Sequence, residues 1–192
     1  MKTALLIIDM QEFFRSMTES ALPNILKLTD YFSIHDMPRI FTQHGHPPSD
    51  FKPPITNQVV RKWGKDGCLH KDSPGWELMT EIAALTPSCP LIHKNVYDAF
   101  MGLEGKGLEE MLREMAVERV VICGVMTDCC CDATARSAFN RGFETWMVGD
   151  AMGSVDQRQH EAALKAFDYG YGPVLRTKDV LRKLKRENSK DG

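Results

Sequence analysis

The sequence predicts an α/β protein in three layers: a parallel sheet with helices on both faces. Two observations predict it. Short apolar runs recur along the chain with helical patterns between them, the alternation that builds β-α-β units. Most of these runs are continuously apolar rather than alternating, as strands buried on both faces must be. A chain of 192 residues suits one domain, 1–192, and can bury a sizeable core.

The elements follow in order. Ala4–Ile8 is an uninterrupted apolar run that stops at Asp9, and reads as the first strand. Leu22–His35 is the first helix candidate, followed by a strand at Arg39–Thr42 around Ile40 and Phe41. The stretch from Gly45 to Gly75 breaks the rhythm with five prolines, several glycines and Trp63. A long irregular loop in a compact domain is often an active-site wall or lid, with a disordered insertion as the alternative. Phe51, Trp63 and Trp76 are its aromatic candidates for shaping a pocket. A helix is expected at Trp76–Ala84 and a strand at Pro90–His93. Then come a helix at Leu108–Met115, a strand at Arg119–Cys123 and a helix at Cys129–Arg141. A strand at Thr145–Val148, a helix at Gln157–Asp168 and a last strand at Pro173–Leu175 complete the series.

Composition excludes several function classes. Hydrophobic residues are 43% and charged residues 26%, a soluble globular mix, and the net charge of −2 gives no sign of a nucleic-acid partner. The basic cluster Arg182–Arg186 reads as a solvated helix end and frayed terminus. No apolar run approaches the roughly 20 residues of a membrane span. Ala4–Ile8 is too short for a signal-peptide core. A cytoplasmic protein with reduced thiols is expected, with no membrane partner.

In open parallel sheets, ligands bind beyond the carboxyl ends of the strands. Asp9 follows the first strand, and Gln43, His44 and His46 follow the second. Lys94 follows the third, and Gly124-Val-Met-Thr-Asp leads from the fourth into Cys129, Cys130 and Cys131. An acid, a base and a thiol thus share one sheet edge. Thr127 or Asp128 is the expected N-cap and Gly142 the residue past the C-terminus of the cysteine helix. Its apolar stripe through Ala135, Ala138 and Phe139 extends back to Cys131, so Cys131 should pack in the core. Cys129 and Cys130 lie off that stripe, and both stay candidates for a reactive thiol. A helix N-terminus and a nearby Lys94 ammonium would each lower a thiol pKa.

Adjacent helical cysteines point about 100° apart and do not chelate one ion. Cys68, Cys89 and Cys123 carry no motif and read as packing or surface thiols. Gly105-Lys-Gly107 lacks the third glycine of a dinucleotide site. His44 and His46, if extended, point to one side. That suits a divalent metal, or a loop that binds substrate. No carboxylate ligand is obvious beside them, and no cofactor is expected.

At this point the residues resemble the isochorismatase-like cysteine hydrolases, which include nicotinamidases, N-carbamoylsarcosine amidohydrolases and isochorismatases. The resemblance covers almost the whole chain. "LLIIDMQ" is similar to the family's opening strand, "HKNVYDAF" to its lysine segment, and "VVICGVMTDCCCDATARSAFNRGFE" to its nucleophile motif. "MVGDAMGS" resembles the next strand, with Asp150. The resemblance implies an isochorismatase-like, Rossmann-like fold with a six-stranded, mostly parallel sheet, and a triad of Asp9, Lys94 and Cys130. It implies a cis peptide between Val125 and Met126, which would turn the backbone N–H groups of Met126 and Cys130 into an oxyanion hole. Phe100 stands in a family position, and His44, His46, Trp63 and Tyr97 are expected to line the substrate pocket. The implied activity is hydrolysis of a small amide or ureido compound through a thioester. Isochorismatase-type vinyl-ether hydrolysis and a non-catalytic binding role are the alternatives. The family commonly forms homodimers or homotetramers. Two departures stand out: His44 replaces the aspartate of the nicotinamidase metal motif, and Cys131 stands where valine is usual.

Overall fold

The computed structural model describes residues 1–103 and 105–189. Six strands form one sheet: β1 (Thr3–Ile8), β2 (Arg39–His44), β3 (Leu91–Lys94), β4 (Arg119–Val125), β5 (Glu144–Gly153) and β6 (Val174–Leu175). Their spatial order is β3-β2-β1-β4-β5-β6, and every pairing in the sheet is parallel. The helices are α1 (Arg15–Thr18), α2 (Leu22–Ile34), α3 (Gln58–Gly67), α4 (Thr80–Ala83), α5 (Leu108–Glu114), α6 (Asp132–Asn140), α7 (Gln157–Gly170) and α8 (Thr177–Asn188). None of them is long and apolar enough to cross a membrane.

The continuous apolar strands sort by parity. Leu6 and Ile8 of β1, with Val120 and Ile122 of β4, join one core with residues of α5, α6 and α7, including Leu108, Ala135 and Phe167. Leu5 and Ile7, with Val121 and Cys123, join the opposite core with Ile25, Leu28 and Phe32 of α2 and Val180 and Leu184 of α8. Alternate side chains of one strand therefore serve two layers of helix, which is why the sequence shows no polar face. Each fully buried Leu, Ile or Phe contributes about 1.5–3 kcal/mol to this arrangement.

Several elements depart from expectation. The helix expected over Trp76–Ala84 shrinks to the single turn α4. Before it, Glu77 and Met79 bond to Glu12 and Met10, and Leu78 bridges Gln11, so that backbone is held extended. The 45–75 stretch is an ordered wall containing a 3₁₀ turn, Pro48–Phe51, and α3, whose N-terminus Asn57 caps by accepting from Val59 N–H. The basic cluster Arg182–Arg186 lies inside α8, an amphipathic helix seated by Val180 and Leu184. The cysteine helix opens as a wide π turn, Thr127–Cys131, before α6. Neither Thr127 nor Asp128 caps it. The Thr127 hydroxyl donates to Gly153 O and meets His160 Nδ1 at 2.7 Å, and Asp128 accepts from Ser154. Gly142 does follow the helix with φ 83°. Cys131, Ala135 and Ala138 are fully buried as the stripe requires, but Phe139 is 42% exposed. It turns outward to meet Tyr171 edge-on.

The strand order reverses between β1 and β4, the switch point where such sheets open a crevice. Gly124 brings the two strand ends together: at φ 118°, the place of its missing Cβ is taken by the backbone of Ile8. Asp9 and the cysteine turn leave the sheet from these two strands.

Candidate active site

Asp9 follows β1 in the left-handed region, φ 49°, a conformation that aspartate tolerates better than most residues. It is fully buried, and its carboxylate is bonded on both oxygens. Thr42 of β2 donates to Oδ1 at 2.6 Å, and Lys94 Nζ at the end of β3 donates to Oδ2 at 2.6 Å. The Lys94 ammonium also reaches Val96 O at 3.2 Å, and its side chain has no exposed surface. Burial alone would push the Lys94 pKa down, but the Asp9 carboxylate and Cys130 outweigh it, and the net shift is upward. Lys94 is an ammonium at any physiological pH.

Cys130 is 5% exposed, and its Sγ lies within 4.8 Å of an Asp9 oxygen and a His44 ring nitrogen. The expected depression of its pKa is not found. Burial pushes the thiol up, the Lys94 charge pulls it back only in part, and Asp9 pushes it further up. The resting Cys130 is therefore a protonated thiol, and a base is needed to unmask it. Cys129 is half-buried, and burial followed by Asp128 and Asp132 pushes it up to about 11. Cys131 is fully buried and pushed up by the same cause. The Val125–Met126 peptide bond is cis.

Cys129 and Cys130, with Met126, floor a cavity of about 220 Å³, which Asp9 and Lys94 do not line. Phe13, Phe14, Met17, Val59 and Leu69 supply most of its wall, with His44, His46, Trp63 and Tyr97. Trp63 Nε1 donates to the Tyr97 hydroxyl at 2.7 Å. Phe100 does not line the cavity. It stacks on Phe143 with 6.2 Å between centroids, and the Arg141 guanidinium lies over its ring. Phe51 stacks on His70 and Trp76 on His93, so both shape the wall from behind. Asp150 serves elsewhere, accepting from the N–H and hydroxyl of Thr177 at the start of α8. Cys68, read as a packing or surface thiol, also lines the cavity and bonds weakly to Val59 O.

The histidine pair is buried, with ring centroids 5.0 Å apart. Burial, then Lys94, depresses His44 to about 3, and burial lowers His46 as well, so both imidazoles are neutral at pH 7. A carboxylate does stand beside them: Asp50 Oδ2 pairs with His46 Nδ1 at 2.9 Å. Asp50 also accepts from Asn57 and Asn95. A carboxylate that only accepts fixes the proton on His46 Nδ1 and leaves Nε2 as a bare acceptor. His46 Nε2 and His44 Nδ1 have no partner. Gln11 clamps the His44 backbone from both sides, donating to its O and accepting from its N–H, each at 2.8 Å. Gly45 between the histidines has no room for a side chain, because the Trp76 indole occupies that place. Gln11 and Gln43 both hold the Trp76 carbonyl.

A resident metal does not fit this donor set. Among the described residues, the one trio of possible ligands that converges is Asp9, His44 and Cys130. It already contains the Lys94 ammonium, 2.6 Å from Asp9, so a cation there meets a charge of its own sign. His46 belongs to no such trio.

Sequence reasoning missed Thr42, Gln11, Asp50 and the Phe13–Met17 segment. The run Phe13-Phe14, a few residues past the first strand end, was the one available signal.

Fold and site together define a class: a doubly wound parallel sheet that carries a thiol, a carboxylate and an ammonium at its switch point. An isochorismatase domain model matches residues 3–179. Nicotinamidase 3 of Arabidopsis thaliana is 32% identical over 182 residues, covering 94% of this chain and 88% of that protein. A cysteine hydrolase from Pseudomonas syringae superposes with a TM-score of 0.81 at 21% identity, covering 96% of this chain and 93% of that one. N-carbamoylsarcosine amidase from Thermoplasma acidophilum superposes with a TM-score of 0.74 at 24% identity, covering 92% and 97%. The chain belongs to the isochorismatase family of hydrolases.

Proposed function

We propose that this chain is a cysteine amidohydrolase that cleaves the C–N bond of a small amide or ureido compound. One observation carries the reading: a buried carboxylate–ammonium pair lies beside a buried thiol on the floor of a single cavity. Asp9 takes the proton of the Cys130 thiol as sulfur attacks the carbonyl. Lys94 keeps its proton, holds Asp9 in place and offsets the charge on sulfur. The backbone N–H groups of Met126 and Cys130 receive the oxyanion, a contact worth about 2.7–4 kcal/mol per donor in a comparable site. Asp9 returns the proton to the leaving nitrogen. Water then hydrolyses the thioester, with Asp9 again the base.

Trp63 and Tyr97 cover the substrate body, and the bare nitrogens of His44 and His46 accept from its N–H groups. The protein works as a homodimer or homotetramer without a metal. Support for the amide comes from the nicotinamidase relative and the amidase neighbour. The test is ammonia release from a panel of small amides, with and without chelator. Cys130→Ala abolishes release, Cys129→Ala and Cys131→Ala retain it, and chelator changes nothing. Release that survives Cys130→Ala and fails in Cys129→Ala overturns the assignment.

A further inference from the structure

The turn that carries Cys130 is tied down from outside the cavity. Thr127 opens it, directly after Met126 and ahead of the three cysteines. The Met126 carbonyl accepts from the N–H groups of Cys129 and Cys131, both at 3.1 Å. Thr127 is fully buried, and its hydroxyl meets partners from two other elements. It donates to Gly153 O, at the end of β5, at 3.0 Å. It also meets His160 Nδ1, on α7, at 2.7 Å.

A hydroxyl has one proton to give, and a carbonyl can only accept. With the Thr127 proton on Gly153 O, His160 Nδ1 is the donor in the second contact. Burial lowers the His160 pKa, so the ring is neutral at pH 7 and its single N–H proton sits on Nδ1. Both anchors are themselves held. No side chain fits at Gly153, because Met17 O of α1 occupies that place. Asp156 caps α7 by accepting from Arg158 N–H at 2.7 Å, and its carbonyl accepts from His160 N–H at 3.0 Å.

We propose that His160 is a positioning residue: by holding Thr127, it fixes the Met126 N–H where the oxyanion forms. His160 does not line the cavity, so it acts only through Thr127. An oxyanion donor works only within about 2.7–3.1 Å of the developing charge, so slack in this turn costs rate. This rests on the cysteine-hydrolase reading for the oxyanion, but not on the substrate being an amide.

Two small reagents separate the placement of that donor from the reactivity of the thiol. para-Nitrophenyl acetate acylates sulfur through a tetrahedral oxyanion and expels para-nitrophenolate. Iodoacetamide alkylates the same sulfur by displacing iodide and forms no oxyanion. In both, the thiol proton passes to Asp9. Rates are measured on the full chain at one pH, with Cys130→Ala as the blank. His160→Leu should slow acylation about tenfold, the scale of one lost hydrogen bond, and leave alkylation unchanged. His160→Asn, whose amide offers an N–H near the place of Nδ1, should recover acylation. Thr127→Val should reproduce the loss, and the double variant should be no slower than the slower single. Equal slowing of both reactions overturns the proposal, as does acylation that is not slowed, or a double variant whose losses simply add. A parent whose acylation does not exceed the blank overturns it too. If the pattern holds but no amide releases ammonia, the positioning role stands and the amidohydrolase reading falls.

Discussion

Two buried polar clusters lie side by side at this sheet edge, and they are built oppositely. Asp9 and Lys94 are both charged, fully buried and bonded on every side that the geometry allows. His44 and His46 are also buried but neutral, and among the described residues each keeps a nitrogen with no partner. The first cluster holds charge in place by pairing it. The second holds polar capacity in reserve for whatever enters. A buried charge survives only when paired, whereas a buried neutral acceptor can wait at a smaller cost.

The comparison is broken most completely by removing the thiol that lies beside the first cluster. Cys130→Ala should lower kcat by about 10⁴-fold or more, as loss of a nucleophile does in a comparable hydrolase, read by ammonia release. Breaking the pair itself comes next. Lys94→Met leaves Asp9 charged and alone, and should cost about 3–5 kcal/mol in urea unfolding. Asp9→Leu with Lys94→Met should cost less than the sum of the two single changes. A double variant as damaged as that sum would show that the two charges are not coupled.

The histidine cluster responds to pH instead. His44 titrates near 6.5 when unfolded and at about 3 when folded. Its neutral burial therefore favours the fold above pH 6.5, and that contribution is lost as pH falls from 6.5 toward 3. The loss is about 1.4 kcal/mol per pH unit over that window. His44→Phe should flatten the urea-midpoint profile between pH 6 and 4, and an unchanged slope would rule His44 out as its source. The smallest effect is expected at the rim. Cys129→Ala should stay within about 0.5 kcal/mol of the parent in stability, as changes away from packed or paired features do, and retain most of the ammonia release.

The thiol also sharpens the contrast. Cys130 is a protonated thiol at rest, because burial outweighs Lys94. Its alkylation by iodoacetamide should be slow at pH 7 and rise about tenfold per pH unit up to pH 9, since the thiolate is the nucleophile. A rate flat across that range would mean that the thiolate already exists at rest.

What was legible in the sequence follows from burial. Strands covered on both faces must be continuously apolar, so Ala4–Ile8 and Arg119–Cys123 stood out, and the residues that follow them were placed at the right edge. Cys131 was placed in the core by helical spacing alone. The wall was harder, because α1 is a single turn and shows no period. The pairing of Asp50 with His46 depends on a 3₁₀ turn that no spacing rule anticipates. Phe100 misled because an aromatic beside a strand end packs inward as readily as toward a cavity. The Cys130 thiol is pushed up rather than down because its burial, the largest influence on it, cannot be measured from sequence.

Gly45 carries a consequence for how this protein could have diverged. Any side chain there collides with the Trp76 indole, which backs the segment holding both histidines. The Trp76 carbonyl is in turn the shared acceptor of Gln11 and Gln43. Substitutions at these positions are thus epistatic: a smaller residue at 76 must come before any replacement of Gly45. A lineage reaches a different backbone between the two histidines only through that ordered path.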